Sequence, residues 1–168
     1  MEQNGQRLRL APMTADELRM YADDPAALSV KYGLSSCDAQ PEFFKTILRK
    51  QADRIDEHPE SLRWLTFWLL IDEEEKVIVG SIDYKDIPDA SGTVEIGYGI
   101  DEPYRNIGYA TEAVRLMVEQ AFSSGRVERV VAETEDGNPA SDRVLLKSGF
   151  RLYDKKGISN WYELRRKP

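Results

Sequence analysis

The chain is poor in the residues that build metal centres and disulfides. Among its 168 residues there is one cysteine, Cys37, and one histidine, His58. A single cysteine excludes an internal disulfide, and an isolated histidine next to Pro59 gives no cluster of metal ligands. No apolar run reaches the roughly 18 residues of a membrane-spanning helix, and the polar start of the chain, residues 1–5, is unlike a signal peptide. We therefore expect a cytoplasmic protein without a metal cofactor or a membrane partner.

Positive charge is also in short supply. The chain has 23 Lys and Arg residues against 30 Asp and Glu, a formal net charge of −7. This balance argues against a general nucleic-acid binder and permits a cationic amine as substrate, although such a charge usually serves solubility alone. The length and the 41% hydrophobic content fit one domain spanning residues 1–168. Composition leaves monomer and homodimer open.

Apolar periodicity and turn residues divide the chain into strands and helices. Strands are expected at residues 7–10, 62–71, 77–84, 93–100, 127–134, 151–155 and 160–165. Helices are expected to begin at a capping box from Thr14 to Glu17, at Pro41, at about Gly108 and after Asn138. Residues 23–40 show no regular pattern. Strands that first meander and then alternate with helices predict a mixed α/β sheet with one parallel pair.

Two of these elements carry specific burial predictions. The segment 62–71 is apolar on both faces and is therefore expected to be a central strand. Its predicted faces are Trp64 with Trp68, and Leu65 with Phe67 and Leu69. In the helix after Pro41, the expected buried residues are Phe43, Phe44, Ile47, Leu48 and Ile55.

The most informative segment runs from residue 100 to residue 111, where a strand ends, a glycine-bearing loop follows and an amphipathic helix begins. A helix that starts at about Gly108 leaves its first N–H groups free to bind an anion. Gly108 lets the backbone approach a ligand closely, and Arg105 can pair with phosphate oxygens. The segment therefore predicts a phosphate site.

Two common phosphate motifs are excluded at this loop. A nucleoside-triphosphate P-loop needs a lysine directly after the glycine, whereas Tyr109 and Ala110 follow Gly108. A dinucleotide fingerprint needs glycines in the turn between strand and helix, whereas Gly97 and Gly99 lie inside the strand.

The loop resembles the acyl-CoA loop of the GNAT superfamily of N-acetyltransferases. That family's signature, Gln/Arg-x-x-Gly-x-Gly/Ala, reads here Arg105-x-x-Gly108-x-Ala110. The stretch 132–150 is similar to the family's strand–Asn–helix–Gly–Phe unit, with Asn138 and the Gly149–Phe150 pair. The two segments cover roughly residues 93–150, with a weaker match at 7–13, and look most like the branch that acetylates ribosomal-protein N-termini.

The resemblance implies an α/β, three-layer fold: a central twisted, mostly antiparallel sheet with a splayed parallel strand pair and helices on both faces. It implies an enzyme that transfers an acetyl group from acetyl-CoA to a primary amine, in a protein N-terminus or a small molecule, by direct attack in a ternary complex. The implied CoA-binding residues are Ile100, Arg105, Asn106, Ile107, Gly108, Tyr109, Ala110, Thr111, Asn138 and Lys147, and Ser141 and Arg143 could also reach the cofactor.

A base is useful for this reaction because a lysine-type amine has a pKa of ~10.4, whereas a peptide α-amine at ~7.7 to 8.0 needs little help. Glu95 is the candidate base, directly or through water, since it shares a strand face with Gly97 and Gly99. Glu133 and Glu135 on the parallel neighbour compete for the role. Alternatively, Glu95 only balances a nearby cation.

The general acid is in question because many family members carry a tyrosine five residues before the phenylalanine of the Gly–Phe pair, and Leu145 stands there. Ser141, a water or another tyrosine such as Tyr153 could protonate the departing thiolate, or no acid is needed. The alternative function is that of an acyl-CoA-binding module that does not catalyse acetyl transfer. The acceptor site would be built by residues 23–40 and 83–92, whose sequence does not identify the amine.

Overall fold

The computed structural model describes residues 3–4 and 7–168. Of the polar start of the chain, residues 1–2 and 5–6 lie outside that description. The strands are β1 (Gln3–Asn4), β2 (Leu8–Pro12), β3 (Phe67–Asp72), β4 (Val77–Tyr84), β5 (Thr93–Ile100), β6 (Arg129–Glu135), β7 (Arg151–Lys156) and β8 (Ser159–Arg165). The α-helices are α1 (Ala15–Asp23), α2 (Pro25–Tyr32), α3 (Glu42–Glu57), α4 (Leu62–Leu65), α5 (Tyr109–Ser123) and α6 (Pro139–Lys147).

The strands form one mixed sheet in the order β1-β2-β3-β4-β5-β6-β8-β7. Every neighbouring pair among them is antiparallel except β5 and β6, which run parallel and are joined through α5. The parallel pairing covers only Thr93–Ile96 against Arg129–Ala132, although both strands continue beyond it. The predicted splayed parallel pair is therefore confirmed.

Two hydrophobic clusters lie on opposite faces of the sheet, which gives three layers. One contains Trp68 of β3, Val114 of α5 and Leu145 of α6. The other contains Leu69 of β3 with Leu18 of α1 and Leu48 of α3. Consecutive strand residues point to opposite faces, so β3 supplies both clusters. The predicted helices on both faces are confirmed.

The segment 62–71 is helical at first, because α4 occupies Leu62–Leu65 and the strand begins only at Phe67. The prediction of one continuous strand is wrong at this end. Its two faces were nevertheless assigned correctly, since Trp64 and Trp68 join one cluster and Leu65 the other. The strand part is central, between β2 and β4.

Two further predictions on the α1–α3 side are wrong. Residues 25–32 form helix α2, which Asp24 caps by accepting a hydrogen bond from the Ala27 N–H, and which ends at Gly33 in the left-handed conformation. In α3, Phe43 is 71% exposed and Ile47 is 42% exposed. The predicted burial of Leu48 and Ile55 is confirmed, and Phe44 packs against the same cluster; Ala52 completes the face that α3 packs onto α1.

Candidate active site

The site lies where β5 and β6 separate. After Ile96 the edge of β5 that faces β6 has no strand partner, whereas the edge that faces β4 stays paired as far as Ile100. Backbone groups alternate between the two edges of a strand, and those of Glu95 and Asp101 bond towards β4. The N–H and C=O groups of Tyr98 and Ile100 therefore point into the gap. No register shift accompanies Gly97 and Gly99, so the β4–β5 ladder has no bulge there.

The N-terminus of α5 closes one end of the gap. Gly108 precedes the helix with φ of 94°, and no side chain caps its first turn. The N–H groups of Tyr109, Ala110 and Thr111 therefore have no partner inside the helix and favour an anion in front of them. Arg105 reaches back from the loop and donates from Nε to the Ile100 carbonyl at 2.9 Å.

Arg7 braces this loop from behind, a contact that the sequence did not predict. Its Nη1 donates to the Ile107 carbonyl at 2.9 Å, and its guanidinium lies 4.5 Å from the centre of the Tyr109 ring. Glu112 in the first turn of α5 accepts the backbone N–H of Arg7 at 2.8 Å and that of Leu8 at 3.0 Å. The start of β2 thereby holds the start of α5.

Tyr109 has a structural role besides its backbone N–H. Its buried hydroxyl donates to Oδ2 of Asp72, the last residue of β3. Burial and the neighbouring Asp72 carboxylate raise the pKa of Tyr109 to about 12, so its hydroxyl stays protonated as a donor. The side chain therefore anchors the helix start, while the backbone faces the gap.

A cavity of about 510 Å³ lies between the end of β5, the loop and first turn of α5, and α6. All of the predicted CoA-binding residues line it except Ile107, whose side chain is exposed. Its other lining residues are Tyr98, Gly99, Tyr104, Ala140, Ser141, Arg143 and Val144. Among the residues that the structure describes, the lining holds three cations, from Arg105, Arg143 and Lys147, and no carboxylate. Its charge and its free N–H groups suit a polyphosphate ligand.

The far end of the cavity, near the vertex of the splay, carries two hydroxyl groups. Tyr98 Oη of β5 lies 2.9 Å from Ser141 Oγ of α6 and donates to the Ser141 carbonyl at 3.3 Å. Asn138 caps α6 by accepting the Ser141 N–H at 3.2 Å, which is its expected capping role. Sequence reasoning did not single out Tyr98, because nothing local marks the partner that it meets on α6.

The opposite face of the sheet at the same vertex is acidic. Asp83 of β4 lies directly across from Gly97, on the same face as Glu95. A Cβ added to Gly97 would overlap the Lys85 ammonium and lie 3.1 Å from Oδ1 of Asp83. The absence of a side chain at Gly97 therefore leaves room for the Lys85 side chain, whose ammonium lies 3.5 Å from the Asp83 carboxylate.

Burial sets the protonation of these two carboxyl groups. It raises the pKa of Asp83 to about 6, an increase that Lys85 opposes and Glu95 adds to. It likewise raises the pKa of Glu95, which is half-buried; Lys85 opposes that rise, and Glu133 adds to it. A carboxylate with a raised pKa is a better proton acceptor near neutral pH. Asp83 was not among the residues predicted from sequence.

The competing residues have other surroundings. Glu133 is exposed and accepts a hydrogen bond from Ser159 Oγ, and Glu135 is exposed further along β6. Leu145 is fully buried in the hydrophobic cluster, which leaves no polar group at that position. Tyr153 lies on β7, outside the cavity lining, with Arg129 4.4 Å from its ring centre.

Over residues 3–4 and 7–168, no three His, Cys, Asp or Glu side chains are grouped to hold a metal ion. None of the helices within that part of the chain has the length and apolar content needed to cross a membrane.

The acetyltransferase (GNAT) domain family matches residues 7–151. The chain therefore belongs to the GNAT family. Among curated relatives, the uncharacterized N-acetyltransferase YjdG of Bacillus subtilis (strain 168) is 33% identical over 52% of this chain and 52% of its own length. The ribosomal-protein-serine acetyltransferase of Escherichia coli (strain K12) is 32% identical over 47% of this chain and 44% of its own length. The chain thus spans about half the length of the curated relatives it matches.

Solved structures share the fold over nearly the whole chain. Ribosomal-protein-S5-alanine acetyltransferase from Vibrio fischeri has a TM-score of 0.73 at 15% identity, over 98% of this chain and 96% of that one. The RimL ribosomal L7/L12 α-N-protein acetyltransferase, solved with CoA, has a TM-score of 0.70 at 16% identity, over 98% of each chain. The predicted likeness to the branch that acetylates ribosomal-protein N-termini is confirmed.

A third structure, the Microcin C7 self-immunity acetyltransferase MccE, was solved with acetyl-CoA and AMP and has a TM-score of 0.68 at 18% identity, over 96% of this chain and 94% of that one. Acetyl-CoA fits the cavity of the present chain on chemical grounds as well. Free N–H groups and the Arg105 guanidinium lie at the α5 end, and backbone groups of β5 that have no strand partner run from there to the vertex. Acetyl-CoA is therefore the co-substrate that the site suits.

Proposed function

We propose that the chain transfers an acetyl group from acetyl-CoA to a primary amine by direct attack in a ternary complex. One observation supports the proposal: where β5 and β6 separate, a cationic cavity lies on one face of the sheet and two carboxyl groups lie on the other. The two substrates can then approach the same vertex from opposite sides. Bringing two reactants together in this way supplies much of the rate of such a transfer.

The cofactor side is held by residues of three elements. The N–H groups at the start of α5 would bind the diphosphate, aided by Arg105, with Arg143, Lys147 and Asn138 of α6 along the other wall. The backbone groups of Tyr98 and Ile100 would bond the pantetheine arm as an added strand does, a recognition mode based on main-chain hydrogen bonds. When bound, acetyl-CoA supplies an activated thioester.

The acceptor side must deliver a neutral amine. Glu95 is the proposed base, because it lies on the open face beside Gly97 and its pKa is raised by burial. Asp83 is a second carboxylate at the same place and would hold the incoming ammonium group before its proton leaves. Ser141 is the proposed donor to the departing thiolate, since its hydroxyl lines the cavity and Leu145 cannot serve.

Thiol release tests the proposed function. With acetyl-CoA and a panel of amines, from peptides with free N-termini to small polyamines, we expect release of CoA thiol that depends on one acceptor class. The ribosomal-protein acetyltransferases among the relatives make N-terminal peptides the first class to try. Acetyl-CoA binding by calorimetry without thiol release for any amine would support the non-catalytic binding module instead.

Asp83→Asn should lower kcat/KM for the amine about 10-fold near neutral pH, since an amide holds an ammonium group less well than a carboxylate. The direction of the pH dependence follows from the raised pKa. In the unmodified protein the rate should fall as pH drops through about 6, where Asp83 takes up a proton. This decrease in rate near pH 6 should be absent from Asp83→Asn. Steady-state rates between pH 5 and pH 8 measure it, with Asp53→Asn, an exposed carboxylate of α3, as the matched control. An unchanged profile in Asp83→Asn would assign Asp83 to structure alone.

A further inference from the structure

Tyr98 and Ser141 meet across the cavity although they lie 43 residues apart in sequence. Tyr98 comes from β5, on the face that carries Val94 and Ile96 into the hydrophobic cluster, and Ser141 comes from the first turn of α6. Their oxygens are 2.9 Å apart, and both residues line the cavity. The pair therefore joins β5 to α6 across the cavity.

We infer that Tyr98 is a positioning residue for thiol departure: its hydroxyl shares one proton between the carbonyl and the Oγ of Ser141, and the serine proton is left free to point into the cavity. This inference rests on the proposed function. It identifies a general acid for a chain that has Leu145 where many family members have a tyrosine, because Ser141 of α6 would act together with Tyr98 of β5.

Donation from the phenol places its one proton between two acceptors of the same residue. Tyr98 Oη has the Ser141 carbonyl at 3.3 Å, which can only accept, and Ser141 Oγ at the shorter 2.9 Å. Burial raises the pKa of Tyr98; the hydrogen bond with the Ser141 side chain opposes this rise, and Asp142 and Tyr162 add to it. The phenol therefore keeps its proton and uses it towards Ser141. The Ser141 hydroxyl is left with a proton to give.

The pair also lies at the correct end of the cavity. The anion-binding N–H groups sit at Tyr109, Ala110 and Thr111, and Tyr98 lies nearest the vertex, two residues past the last β5–β6 pair. Acetyl-CoA carries its thioester at the end remote from its phosphates. A cofactor with its diphosphate at α5 therefore brings its sulfur towards Tyr98 and Ser141.

The group transfer then balances as follows. Glu95 takes one proton from the ammonium group, the amine nitrogen bonds to the thioester carbonyl carbon, and the carbon–sulfur bond breaks. The sulfur takes the Ser141 proton, Ser141 Oγ recovers one from Tyr98, and the phenolate regains its proton from water in the open cavity. The second nitrogen proton leaves to water through the Glu95 side, so the net release is one proton from each ammonium group.

Single-turnover kinetics of Tyr98→Phe, Ser141→Ala and the double variant test the relay. Saturating acetyl-CoA separates chemistry from binding. We expect Tyr98→Phe to slow the step ~10-fold and Ser141→Ala ~10-fold to 100-fold, within the range for one general acid. The double variant should be no slower than Ser141→Ala, because both changes interrupt one relay. Acetyl-CoA affinity should stay within about twofold. Tyr153→Phe, outside the cavity, is the control and should match the unmodified protein.

Each other result overturns the inference. A Tyr98→Phe rate within twofold of that of the unmodified protein would show that Tyr98 takes no part in proton transfer. If the two rate reductions multiply in the double variant, the two hydroxyl groups act independently. Loss of acetyl-CoA affinity without a change in rate assigns both residues to cofactor binding. If the unmodified protein releases no thiol with any amine, both the proposed function and this inference are wrong. If the unmodified protein is active and Tyr98→Phe keeps its rate, only the role of Tyr98 is wrong.

Discussion

Gly108→Val should weaken acetyl-CoA and CoA binding at least about 100-fold. At φ of 94° a β-branched residue is strained, at a cost on the order of 1–3 kcal/mol. A Cβ there would also lie 3.0 Å from Arg7 Nη2, so the side chain would press on the residue that braces the loop. The loop would then shift, and the first N–H groups of α5 would no longer converge on the diphosphate. Titration calorimetry measures the loss, with ATP and NAD as ligands expected to bind poorly.

Gly125→Val is the matched control for this experiment. Gly125 follows the other end of α5 with φ of 71°, and a Cβ there would meet nothing within 4 Å. The control should therefore lose stability from backbone strain and keep its affinity for acetyl-CoA. Unchanged acetyl-CoA affinity in a folded Gly108→Val protein would show that this loop is not the diphosphate site.

Glu95→Gln should lower turnover of a high-pKa amine about 100-fold near neutral pH, because the amide cannot accept the ammonium proton. The defect should shrink as pH rises, since free amine becomes abundant without help. A carboxyl whose pKa is raised by burial is ionised only above that raised value, so the unmodified enzyme should lose activity on acidification. Acetyl-CoA affinity should barely change, since Glu95 does not line the cavity.

The control for the base is Glu135→Gln, an exposed carboxylate on β6. Its rate–pH profile should follow that of the unmodified protein. Wild-type rates for Glu95→Gln across the whole pH range would make Glu95 structural. Asp83 or Glu133 would then be the next base to test. A variant of the base should lose more activity at low pH than at high pH, whereas a variant of a residue that only binds the acceptor should lose similar activity at both.

Local signals explain what could be predicted from the sequence. Strands β4 and β5 lie at the predicted residues because apolar runs end there at charged or glycine-rich turns. The loop before α5 was found because its signature is contiguous. Helix α2 was missed although Asp24, Pro25 and Gly33 mark its ends, because eight residues with Leu28 and Ser29 as the buried ones show too little periodicity.

The missed site residues depend on pairing between distant segments. Asp83 matters because the β4–β5 register sets it across from Gly97, and one residue of slip would turn it to the other face. Tyr98 matters because α6 packs where β5 and β6 part. Exposure of Phe43 and Ile47 has a similar origin, since the angle at which α3 meets α1 decides which part of an apolar stripe is covered.

The brace between β2 and α5 links cofactor affinity to the stability of the sheet. Glu112 accepts the N–H groups of Arg7 and Leu8, so fraying of that strand end would also release the first turn of α5. Binding of acetyl-CoA at the α5 N-terminus must then stabilise β2 against fraying, although β2 lies three positions away from β5 in the sheet. At a ligand concentration 100 times Kd the protection amounts to about 2.7 kcal/mol. A substitution in β2 far from the thioester can therefore alter KM for acetyl-CoA while leaving the chemical step unchanged.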